Sequence, residues 1–152
     1  MALDTRALQM ALVTHAKKLG PFQDVKAHPP KSAPTTGVTL YLWFGSMRAL
    51  AFASGLSAGS GLVIFHGRIL TNAKQQPFEA SDEKVANAVD KYFTELVGNF
   101  TLGGLIRNVD VFGESGEALT AQGWWGPIDS AEYRGADLTI PMIINDMWTE
   151  SA

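Results

Sequence analysis

Cysteine is absent from the 152 residues. That excludes disulfides, thiolate zinc sites and thiol nucleophiles together, and leaves the redox compartment open. Histidine is scarce: His15, His28 and His66 are the only three, and none has a second histidine or a carboxylate at metal-ligand spacing. Each reads as a structural residue. Positive charge is not in excess either, with 12 Lys and Arg against 15 Asp and Glu for a net charge of −3. No global basic field would hold a nucleic-acid backbone, so any contact with DNA is local or transient. Long apolar runs are missing too. The windows Val38–Phe44 and Leu62–Phe65 fall far short of the roughly 20 residues a membrane helix needs. The opening Met1-Ala2-Leu3-Asp4-Thr5-Arg6 lacks the basic start and apolar run of a signal peptide. A soluble chain made in the cytoplasm, with no membrane contact, is expected.

What is present suits a single α+β domain over residues 1–152, with 46% hydrophobic residues to fill one core. Leu8, Leu12, Ala16 and Leu19 recur at helical spacing, with Asp4 as N-cap and Gly20-Pro21 as a stop. Phe22–Lys26 suggests a short strand. His28–Pro34 carries three prolines, so it reads as a loop. Gly37–Leu50 reads as β, with Val38, Leu40, Leu42 and Phe44 on one face and Thr39, Tyr41 and Trp43 on the other. Gly45 marks a bend or bulge. The small-residue stretch Ser54–Gly61 reads as a loop, and Leu62–Thr71 returns to complete a long hairpin. Ser81 is placed as the cap of a second helix, with Val85, Val89, Phe93, Leu96 and Phe100 along one stripe. Three strands then follow, Ile106–Phe112, Ala118–Trp125 and Tyr133–Ile144, with Pro141 demoting the last to an edge or marking a bulge. The expected architecture is two-layer: an antiparallel or mixed sheet with a long hairpin and two main helices packed on one face. The other face would carry Tyr41, Trp43 and Trp124 or Trp125 uncovered, as an interface does.

No catalytic, cofactor-binding or metal constellation stands out. Gly55-Leu56-Ser57-Ala58-Gly59 fits the five-residue nucleophile-elbow pattern, but that motif needs a strand-to-helix turn and here lies between two strands. Gly55, Gly59 and Gly61 lack the following Lys-Ser/Thr and the helix that a phosphate cradle requires. Asp110, Glu114 and Glu117 read as a solvated turn rather than an acid/base pair. Asp137, Asn145 and Asp146 lack the ligand density of a calcium loop. Arg48, Arg68, Arg107 and Arg134 are scattered along the chain.

Pro29-Pro30-Lys31-Ser32-Ala33-Pro34 before a strand, Ala53–Gly61 before the next, Phe100–Gly113 after the second helix, and the ending Leu138–Trp148 form a familiar set. They resemble the corresponding stretches of tail terminators of long-tailed (siphovirus-type) phages of actinobacterial hosts. The likeness spans roughly Pro29 to Trp148, in the right order. It departs at Trp43–Phe52, where Gly45-Ser46-Met47-Arg48 is unfamiliar. The resemblance implies a mixed sheet flanked by helices and a virion protein assembled in the host cytoplasm. It implies a six-fold ring of identical copies that caps the head-proximal end of the tail tube and stops its polymerisation. Its partners would be the tail tube protein and the head–tail connector or stopper, with genomic DNA passing through the lumen unbound. The family supplies no catalytic residues.

A closed ring needs one patch to meet a different patch on the next copy. The contact regions expected are Trp43, the loop residues Ser54, Gly55, Leu56, Ser57, Gly59 and Gly61, the Trp124-Trp125 pair, and Met147 with Trp148. An anchor for the final strand in its own core is an equal reading of Trp148. Two other readings remain open at this point. One is another ring component of the tail or neck, such as a tube subunit or connector. The other is a small-ligand-binding α+β domain with a pocket built from Trp43, Trp124 and Trp125.

Overall fold

Among the described residues, two helices and six strands follow one another as α1 (Thr5–Lys17), β1 (Asp24–Lys26), β2 (Thr39–Leu50), β3 (Ala58–Asn72), α2 (Ala80–Val97), β4 (Asn108–Val109), β5 (Thr120–Ile128) and β6 (Ala131–Thr149). This computed structural model describes residues 4–30, 37–50, 58–73, 79–98, 100–128 and 131–149. The strands form one mixed sheet in the order β1-β2-β3-β6-β4, with β5 also paired to β6. β1 lies parallel to β2, and the other pairings are antiparallel. The domain is α+β.

α1 starts where Asp4 accepts from the Ala7 N–H at 3.0 Å, satisfying one donor that the first turn leaves open. Its buried side, Leu8, Leu12, Val13 and Ala16, packs on one face of the sheet. α2 packs there too, through Val85, Ala88, Tyr92 and Leu96. The shared core takes Leu40, Leu42, Val63, Phe65, Ile69, Ala136, Leu138, Ile140 and Met142 from the strands. Each of the larger side chains among these, fully buried, contributes about 1.5–3 kcal/mol. Both helices therefore lie on one face, as the sequence suggests.

Alternation along β2 is broken once. Leu40 and Leu42 face the helices, but beyond Gly45 it is Met47 that packs there, while Leu50 turns to the opposite face with Leu62, Ile64 and Ile143. The cause is a bulge: pairing with β3 shifts between Phe44 and Ser46, and one extra residue reverses the side of everything after it. β6 has a larger irregularity, with two extra residues, where Gly59 pairs Trp148 but Gly61 pairs Ile144. It carries Met147 round to the helix-side core.

Several expectations need correction. The segment Ile106–Phe112 is a strand only at Asn108–Val109, because Asp110 gathers the residues after it into a loop. α2 begins at Ala80 with Glu79 in the cap position, and Ser81 is buried inside the first turn. Phe100 lies beyond the helix end. Gly59 and Gly61 are in paired strand rather than in the loop. Ser54, Gly55, Leu56 and Ser57 lie outside the described residues. β6 is neither an edge nor bulged at Pro141, which pairs with Ile64 of β3. The Pro141 carbonyl accepts from the Asp110 N–H at 2.9 Å, so its nitrogen faces the same side. There it falls in the gap between β5, whose pairing ends at Thr139, and β4, which begins at Met142. A proline in a central strand is tolerated where no ladder bond is due.

Candidate functional site

The face of the sheet away from the helices is not bare. Tyr41, Leu70 and Tyr133 are buried there, with Trp43, Trp124, Ile128 and Ala131 packed against them. Tyr41 was expected to stand uncovered. Instead, large side chains on neighbouring strands cover one another, and burial pushes the Tyr41 phenol above its ordinary range. Trp43 and Trp124 are half-buried.

Charges join this layer in an ordered way. The Arg68 guanidinium grips Asp137 with two parallel bonds, Nε to Oδ1 at 2.7 Å and Nη2 to Oδ2 at 3.1 Å. Trp124 donates its indole N–H to the same Oδ1 at 3.0 Å, and Arg68 lies 5.3 Å from the Trp124 ring centre. These groups border a shallow concavity of about 880 Å³. Trp124 and Trp125 face opposite sides, as neighbours in a strand must. Arg134 lies 4.9 Å from the Trp125 ring centre and reaches Asp82 of α2 at 3.0 Å. Two of the arginines that look scattered in the sequence are thus each seated on a tryptophan.

The residues expected at contacts divide. Trp125 is 46% exposed and Trp148 37%, so both offer surface, whereas Met147 is 3% exposed and belongs to the core. The turn that carries it inward also packs its side chain close to Gly61. Gly61 is buried and offers backbone pairing only within the sheet. The three histidines are spread over α1, a loop and β3, against Phe100, Tyr41 and Trp43 respectively. They form no common site.

The sequence pointed to an edge at the Pro141 strand, whereas the open edges lie on β2 and β5, and they are the more informative feature. β1 covers β2 only along Thr39–Tyr41. Gln9 then closes that short ladder by donating to the Ala27 and Leu42 carbonyls at 2.9 and 3.0 Å. Among the described residues no strand pairs with the outer edge of β2 from Trp43 to Leu50, or with the outer edge of β5 from Thr120 to Ile128. β2 has one charged residue in that stretch, Arg48, and β5 has none. Isolated domains usually guard such edges with charge. The two edges lie towards opposite sides of the sheet.

Asp110 is the other feature whose character the sequence concealed. It is buried rather than solvated. Its carboxylate accepts from the backbone N–H groups of Gly113, Glu114 and Ser115 at 3.1, 3.0 and 2.8 Å, and from the Ser115 hydroxyl. Burial alone would raise its pKa. The hydrogen bonds together outweigh burial and hold it below the ordinary carboxylate value. No helix of the described chain is long and apolar enough to cross a membrane. No family model matches the chain, and no curated protein matches it.

Proposed function

We propose that this chain is a structural subunit of a long-tailed phage tail, the terminator that closes as a ring on the head-proximal end of the tail tube. The observation that carries the self-assembling part is the pair of open, nearly uncharged edges on β2 and β5. Pairing β5 of one copy with β2 of the next joins two different patches, and repetition of such a contact yields a closed ring when the rotation per copy is right. The terminator position, the six-fold ring and the partners rest on the resemblance of Pro29–Trp148. Six copies at −3 each would place −18 on the ring, a charge that disfavours adhesion of passing DNA.

The experiment is negative-stain imaging with light-scattering mass across a concentration series, with and without tail tubes. Discrete rings, or a monomer that forms rings only on tubes, support the terminator. Unlimited tubes move the assignment to a tube subunit. Gln122→Lys on β5 and Ser46→Lys on β2 should each suppress assembly without lowering the melting temperature of the monomer. The concavity beside Arg68, Trp124 and Asp137 favours a second reading, a small-ligand-binding domain. A monomer at every concentration, indifferent to tubes, would turn the assignment that way.

A further inference from the structure

Phe112 is 91% exposed, yet it sits on a tightly tied loop. The Asp110 carboxylate holds three consecutive backbone N–H groups just beyond it. Gly113 and Gly116 take the left-handed backbone the turn needs, at φ +80° and +103°, and the Gly116 N–H donates to the Gly113 carbonyl at 2.9 Å. From β2, Arg48 donates to the Ser115 carbonyl. A large aromatic ring on a backbone already fixed loses little entropy when it docks, which is the character of an interface anchor. Glu114 and Glu117 stand exposed beside it.

The chain also carries a matching receptacle. Met10, Thr14 and Lys18 run along the outer side of α1 at four-residue spacing. They face Leu102 and Gly103 across a groove of about 460 Å³. The far wall is shaped by a left-handed run, with φ +52° at Leu102, +68° at Gly103 and +91° at Gly104. Leu102 is the one non-glycine residue with positive φ among those described. Met10, Ala11 and Leu102 supply its apolar lining, with Thr14 and His15 beside them. One turn before Met10 stands Arg6, and two turns after it Lys18, so cations bracket that lining along the helix. A second apolar groove, of about 390 Å³ between α2 and β5, is bordered by Asp90. The arginine there, Arg134, is already bonded to Asp82. The lining of that groove thus carries one charge of each sign, whereas the charged residue lining the α1 groove is Lys18, with Glu95 near enough to act on His15 in its wall. Of the two, the α1 groove better suits an acidic loop.

We infer that the Phe112 loop of one copy seats in the α1–Leu102 groove of a second copy, the ring on the apolar lining and Glu114 and Glu117 towards Arg6 and Lys18. One aromatic side chain buries about 150–250 Å², far below the roughly 1,200 Å² of a stable interface. The contact therefore acts as an anchor within a larger one and rests on the self-assembly reading above.

The test replaces Phe112 with p-benzoylphenylalanine, which keeps an aromatic ring and photo-cross-links to nearby C–H bonds. Light scattering follows assembly of the same sample. The expected result is an inter-copy product whose linkage maps to α1 around Met10 or to Leu102. Its yield should fall about two- to five-fold in Glu114→Lys or in Lys18→Glu, and recover when the two charge-reversed chains are mixed. Rings without that product, or with linkage mapped to Val89 and Ala86 of α2, would overturn the inference and leave the ring standing. No rings but an inter-copy link at Met10 would uphold the contact and remove the ring. No rings and no link would remove both.

Discussion

The indole of Trp124 lies across the bare backbone of Gly135, its partner in the β5–β6 ladder: a Cβ at Gly135 would sit 2.6 Å from two atoms of the ring. The glycine is thus required by the tryptophan, and the tryptophan in turn is fixed by its bond to Asp137.

Gly135→Ala should therefore destabilise the domain by about 1–3 kcal/mol, the usual cost of overpacking. In Trp124→Ala the same alanine should have far less effect. A double-mutant cycle in urea unfolding measures the coupling. Additive effects would mean that Trp124 does not occupy the space over Gly135.

Asp137→Ala removes the acceptor shared by Arg68 and Trp124. Side-chain exposure at the ion pair is 35% and 47%, so the loss expected is small, about 1 kcal/mol, and smaller in high salt. Indole fluorescence should still report a more solvated tryptophan. A loss that ignores salt would point to packing instead.

Asp110 predicts an acid limb. Its folded pKa lies below the ordinary carboxylate value, so its contribution is fully present above the unfolded value of about 3.9. It is lost as pH falls through the folded value. Asp110→Ala should cost about 2–3 kcal/mol at neutral pH, because buried donors lose a charged partner, and should flatten the stability–pH curve below pH ~4. Denaturant midpoints from pH 2 to 7 check both.

His15 predicts a second, milder limb. Burial holds it below its ordinary value of 6.5, with Lys18 acting in the same sense and Glu95 opposing. The stability it supports is present above pH 6.5 and declines as pH falls from there towards the folded value. His15→Gln should remove that slope between pH 7 and 5. An unchanged slope would assign it to other groups.

Both helices were legible in the sequence because periodicity is local, and α1 from its cap as well, whereas the cap of α2 was not. Leu8, Leu12 and Ala16 mark the buried side of α1, and Asp4 its start. Gly45 signalled the bulge, since a lone glycine in a strand has few other uses. Tertiary structure alone decided where β6 sits. Pro141 reads as an edge residue until the carbonyl beside it is seen bonded to Asp110 at the gap between two partners. It also decided that Met147 is core while Trp148 is surface, because both lie at the stretch where the register of β6 against β3 shifts. Asp110 looked like a turn carboxylate because the donors that bury it are backbone N–H groups, which no side-chain pattern reveals. Periodicity reports which face a residue shares with its neighbours along the chain. Which strand lies beside it, and which edge is left open, depends on pairings between residues far apart in sequence, and these are settled only when the whole sheet forms.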